Sequence, residues 1–213
     1  MPEAALAATI GTAARGCWAP GSATAVRLGI DGPVEADCAA LADRVAAELT
    51  GHGVPVARVS ASDYLRARSL RLEFGADDPD TFLDGWYDTA ALLREVLTPL
   101  SGLDRSGGPL RWLPRLRDPD TDRPYREPAR LAAPGTVLVL DGRFLLRGEL
   151  AAGLDLVVHL DVSPAARARR VPEPERARVL PAWARYLAED DPAGRAGLVV
   201  RYDHPRSPAL ASR

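Results

Sequence analysis

Lysine is absent from this chain, and so are asparagine and glutamine. All 27 basic residues are arginine. A Schiff base, a phosphate-binding ammonium, or any step that needs an amine of tunable pKa is therefore excluded for this chain. Only two cysteines occur, Cys17 and Cys38, too few for a disulfide framework and without zinc-ligand spacing. The histidines, His52, His159 and His204, lie far apart in sequence, so no metal site is expected. No run approaches the roughly 18 apolar residues that a membrane span needs. Met1–Gly16 is alanine-rich but has no basic segment ahead of an apolar core, so it does not read as a secretory signal. A cytoplasmic protein without a membrane partner is the expectation. Neither sign of charge dominates: 27 basic against 29 acidic residues leaves −2, which argues against a nucleic-acid partner.

The 213 residues suit one domain, and 46% hydrophobic residues can build its core. Alanine and arginine are heavily used, as a bias toward GC-rich codons would produce. Residues 1–24 read as an appended leader, a short helix and then a turn at Pro20-Gly21. Ala25–Ile30 reads as a strand, 31–37 as a loop, and Cys38–Leu49 as a helix with Leu41, Val45 and Leu49 in register. Gly51 and Gly53 end that helix, and Val54–Val59 follows as a second strand. Strand, helix and strand within about 35 residues make a βαβ unit, hence parallel pairing with a right-handed crossover. Asp88–Leu100 carries Leu92, Leu93, Val96 and Leu97 on one helical side. Residues 107–130, rich in proline, arginine and aspartate, read as a hairpin or long excursion, with Leu110–Leu113 as an edge strand. Thr136–Leu140, ending in Asp141-Gly142, and Leu154–Leu160, ending in Asp161, are strands apolar on both faces, which implies a covered sheet. Ser163–Arg170 and Glu173–Leu187 read as helices, the second broken at Pro181. Gly197–Tyr202 is a last strand. The sum is a three-layer α/β domain over 25–204, with a mostly parallel sheet of about five strands, and a tail at 205–213.

In such sheets ligands bind at the carboxyl ends of the strands, here the loops 31–39, 60–66, 141–148 and 161–170. Six segments stand near or between them: Gly29–Gly32, Leu41–Val45, Asp84–Asp88, Val137–Leu146, His159–Asp161 and Arg185–Pro192. In that order and spacing, over roughly residues 25–200, the chain resembles the uridine kinase-like branch of the P-loop nucleoside kinases. The resemblance implies a P-loop NTPase, nucleoside kinase-like fold. It also implies a loop Gly-x-x-x-x-Gly-Lys-Ser/Thr, whose N–H groups cradle phosphate, whose lysine reaches the β- and γ-phosphates and whose hydroxyl binds magnesium. The corresponding stretch is Gly32-Pro-Val-Glu-Ala-Asp37-Cys38-Ala39. The second glycine is Asp37, the lysine Cys38 and the hydroxyl residue Ala39. Glu35 and Asp37 bring negative charge toward a polyphosphate, on the order of several kcal/mol per close contact at an effective dielectric of about 20. Loss of the glycine is expected to bar backbone conformations open mainly to glycine. The family's paired acids after the second strand, the first a general base, correspond to Ser62-Asp63-Tyr64, followed by Leu65. The lid's Arg-Asp pair has only Arg167, Arg169 and Arg170, followed by Val171-Pro172.

Each candidate also has an ordinary reading. Asp141 aligns with the family's magnesium-placing acid, or is a strand-end turn residue. Asp31 is a site acid, or a turn residue or cap. Arg167, Arg169 and Arg170 bind an anion, or form a solvated helix face. Trp86-Tyr87-Asp88 packs a helix start, or offers a stacking platform. Cys38, at a helix N-terminus, where a thiol pKa tends to fall, is otherwise a buried, inert residue. His159 reads as a satisfied core histidine. The expectation is a kinase-like fold that has lost its ATP loop and is repurposed for a small polar or phosphorylated molecule, without ATP or magnesium. Asp63, Asp141 and Asp37 are its candidate acid–base groups. Asp31, Gly32, Cys38, Tyr64, Arg167, Arg169 and Arg170 are its candidate contacts. Two alternatives remain: an active kinase with an arginine-based phosphate clamp, and a non-catalytic pseudokinase acting through protein contacts. A homodimer is compatible with each.

Overall fold

Along Val137–Leu140, odd and even residues are all apolar, and both sets are buried in the computed structural model. Val137 and Val139 point into one core and Leu138 and Leu140 into another, so this strand lies between two covered faces. The structure describes residues 1–102, 109–204 and 207–211. Its main sheet has six strands: β1 (Val26–Asp31), β2 (Val56–Ser60), β5 (Val137–Gly142), β6 (Leu156–Asp161), β7 (Leu198–Arg201) and β8 (Ala209–Leu210), in the order β2-β5-β1-β6-β7-β8. The first five are parallel, and β8 adds a short antiparallel edge. The expected five parallel strands are present, and the sixth comes from a segment read as tail.

Helix α1 (Glu3–Gly16) and helix α2 (Cys38–Gly51) cover one face. Leu41, Val45 and Leu49 of α2 meet Leu28, Ile30, Val139 and Val158 in a single core. Leu6, Ile10 and Ala14 of α1 are fully buried in that same core, so residues 3–16 complete the layer instead of standing apart as a leader. The opposite face is covered by Leu92, Val96, Leu97 and Leu100. Their helix runs from Thr89 to Leu92, loosens to a π-turn over Leu93–Leu97 and closes with Thr98–Leu100. The cause is local. Pro99 has no N–H for the carbonyl of Glu95, and Leu113 N–H donates to that carbonyl instead, at 3.0 Å. The same bond docks the excursion, whose described part holds β3 (Arg111–Trp112) antiparallel to β4 (Arg130–Leu131); residues 107 and 108 lie outside the described residues.

Pro181 does not break its helix, which runs unbroken from Arg176 to Asp190. The proline removes one hydrogen bond near the N-terminal end, while Val179, Ala182, Trp183 and Tyr186 bury the inner face and hold the helix together. Among the described residues no helix is long and apolar enough to cross a membrane.

Candidate functional site

The carboxyl ends of β1, β5 and β2 lie side by side, because Asp31 pairs with Gly142 and Ser60 with Asp141. The loop after β1 starts at Gly32, where a Cβ would stand 2.9 Å from Leu160 Cβ and 3.0 Å from Cys38 Sγ. Only glycine allows that approach. Val34–Ala36 then forms a 3-10 turn: Ala36 N–H donates to Pro33 O at 2.9 Å and Asp37 N–H to Val34 O at 3.0 Å. Asp37 sits in the left-handed region, φ 49° and ψ 54°. The expected bar on that conformation therefore does not operate, since aspartate is among the few side chains that visit it readily. Asp37 Oδ1 accepts from Ala40 N–H at 3.2 Å and so caps α2 with the chain's own carboxylate. Cys38 is buried, and burial, with Asp31, Asp141 and Asp37 nearby, pushes its thiol well above the usual value. Desolvation outweighs the helix terminus here and favours the neutral thiol.

Around this loop lies a cavity of about 170 Å³, walled by Gly32–Val34, Asp37–Ala39, Ser62, Tyr87 and Asp141–Arg143. Asp141 is buried, with Oδ1 2.6 Å from Arg58 Nη1 and Oδ2 accepting from Ser60 Oγ at 3.1 Å. Burial raises its carboxyl and Arg58 opposes the rise. Ser62 lines the cavity and Asp63 does not. The Asp63 carbonyl accepts from Leu116 and Arg117 N–H, on the side of the excursion. Its half-buried carboxyl is pushed up to about 6 by desolvation, against the field of Arg115. Tyr64 is buried and donates its hydroxyl to Leu113 O.

Asp31 is enclosed. Its Oδ2 stands 2.6 Å from His159 Nδ1 and accepts from Tyr186 OH at 3.0 Å, and its Oδ1 accepts from Leu145 N–H at 2.9 Å. His159 is thus a satisfied core histidine, as its strand setting suggests. The arginine triplet divides three ways. Arg167 is buried against Trp183, 5.1 Å from the ring centroid, and donates to Val162 O. Burial lowers its guanidinium to about 10. Arg170 donates to the carbonyls of Tyr202 and Asp203, and Arg169 is exposed. The three do not share one anion-binding face.

The cavity also takes in Ser62, which stands at the family's base position in the sequence, and Tyr87 of the Trp86-Tyr87-Asp88 segment, whereas Arg143 was not singled out by sequence reasoning. Arg143 directly follows the Asp141-Gly142 pair within Val137–Leu146, and that adjacency was the available signal. Tyr87 also walls a neighbouring cavity of about 240 Å³. Its arginine, Arg147, is held by Asp84, Glu189 and Asp190 at 2.6, 2.8 and 2.6 Å. Among the described residues no group of three or more histidine, cysteine or acidic side chains could hold a metal ion.

No protein-family model and no curated protein sequence matches the chain. Solved structures do. A "possible uridine kinase" from Bacillus stearothermophilus aligns with a TM-score of 0.69 at 24% identity, over 89% of this chain and 96% of that one. A D-glycerate 3-kinase from Cryptococcus neoformans aligns with a TM-score of 0.51 at 15% identity, over 84% and 85%. The likeness establishes the fold: a P-loop kinase-like α/β domain with a mostly parallel sheet.

Proposed function

We propose that this chain binds or transforms a small polar or phosphorylated molecule on a P-loop kinase-like fold, without phosphoryl transfer from ATP. One observation carries the reading: the loop after β1 is closed on itself. Two of its N–H groups are spent on the 3-10 turn, and the Asp37 carboxylate caps α2 where a phosphate would be cradled. No lysine exists to replace the missing ammonium. The residues do not fit ATP and magnesium: the hydroxyl position is Ala39, and Asp141 is ion-paired with Arg58 and accepts from Ser60 on Oδ2. The names of the aligned structures, a uridine kinase and a glycerate kinase, support a small hydroxyl-bearing ligand in place of a nucleic acid or a membrane. Where the molecule is transformed, the chemistry is acid–base, by the candidate carboxyls on the cavity wall, Asp141 and Asp37.

Calorimetry with ATP and magnesium tests the reading. Wild type is expected to bind no ATP, and the triple substitution Asp37→Gly, Cys38→Lys, Ala39→Ser to gain affinity by reopening the loop. Saturable ATP binding by wild type, with magnesium-dependent turnover, would overturn the reading and favour the arginine-clamp kinase.

A further inference from the structure

Arg143 differs from three other described arginines that line cavities. Arg44, Arg147 and Arg195 line three others, and each lies within 4.0 Å of a carboxylate. Arg143 has no such partner among the described residues. It is nevertheless held in place. Its Nε and its backbone N–H both donate to Tyr87 OH, at 3.2 and 3.3 Å. Its guanidinium lies 4.7 Å from the Phe82 ring centroid, 5.6 Å from Tyr87 and 5.9 Å from Trp86, within cation–π range. The turn behind it is pinned from the core, where Asp31 takes Leu145 N–H and Tyr186 OH takes Leu146 N–H at 3.1 Å. Among the described residues, Nη1 and Nη2 of Arg143 donate to no protein acceptor.

The nearby acids do not neutralise it. Asp141 is ion-paired with Arg58 and accepts from Ser60, and Asp37 caps α2. Glu35 feels the charge of Arg143 but also that of Arg167. One free fork of donors in a cavity of about 170 Å³ suits one small oxyanion. The space is below the roughly 300–1,000 Å³ usual for drug-sized ligands, so the molecule carrying the oxyanion is small.

We propose that Arg143 is the oxyanion anchor of this cavity, receiving on its Nη edge the carboxylate or phosphate monoester of a small polar molecule, with Ser62 as the neighbouring polar group. The proposal rests on the reading that no triphosphate enters the loop.

The test is calorimetry on the full chain with glycerol 3-phosphate, D-glycerate, uncharged glycerol and ATP with magnesium. Wild type is expected to bind at least one of the two anions and not glycerol, and the two anion arms separate phosphate from carboxylate. R143M is expected to weaken that binding by about tenfold or more. R143K keeps the charge without the planar fork and is expected to fall between them. Should R143M fail to fold, R143K carries the test, and wild-type affinity in R143K then overturns the proposal. Undiminished binding in R143M, loss in R169M instead, or no anion binding by wild type at millimolar concentration overturns it as well. ATP binding, read in a separate titration, would overturn the proposed function and with it the premise that the loop excludes a triphosphate, whereas undiminished anion binding in R143M without ATP binding overturns the anchor alone.

Discussion

At Asp37 two demands meet in one side chain: a left-handed backbone and a helix cap. Glycine meets the first and alanine neither. Asp37→Ala is expected to lower stability by about 1–2 kcal/mol, and Asp37→Gly by only a few tenths, in chemical denaturation. Asp63 poses a different question, since burial favours its neutral form. Its folded pKa, about 6, lies above the ordinary 3.8, so the native state binds more protons between those values. Stability contributed by this group therefore falls as pH rises from 3.8 to about 6 and is level on either side. Asp63→Asn is expected to match wild type below that window and to gain over it across the window. Urea midpoints of both proteins against pH check this, and parallel curves would refute it. The identities of Asp37, Cys38 and Ala39 could be read from sequence. The left-handed geometry of Asp37 and the enclosure of Asp31 could not, because both depend on neighbours distant along the chain.

At the scale of elements, period and punctuation located most of the structure. The runs at 136–140 and 154–160 became β5 and β6, and the 38–49 helix kept its apolar register. Two prolines inside helices had unequal outcomes, and only Pro181 was read as a break. Pro99 loosened its helix to a π-turn, and Pro181 left its helix continuous. Local chemistry is the same in both, a missing N–H. The aromatic face around Trp183 and Tyr186 holds the second helix, a force that no window of sequence around Pro181 displays. Helix α1 teaches the same lesson. Its alanines suggested a helix, but only the packed α2 shows that Leu6 is core. Leu6→Ala is expected to cost about 2–5 kcal/mol, measured by denaturant midpoint, whereas a detached leader would tolerate it.

For the whole molecule, the sheet order brings β1, β5 and β2 together and sets the loop, Ser62 and Arg143 around one cavity. Composition alone determined that no lysine could serve a phosphate. Continuous apolar runs and the strand-helix-strand order determined a covered, mostly parallel sheet. Tertiary structure decided which charges remain unspent. Arg58 and Arg147 are matched by carboxylates, Arg167 is buried, and Arg143 keeps a free donor edge against an aromatic wall. The reason is range: hydrophobic period is a property of neighbouring residues, while the pairing of a charge depends on which distant acids the fold brings within a few ångströms.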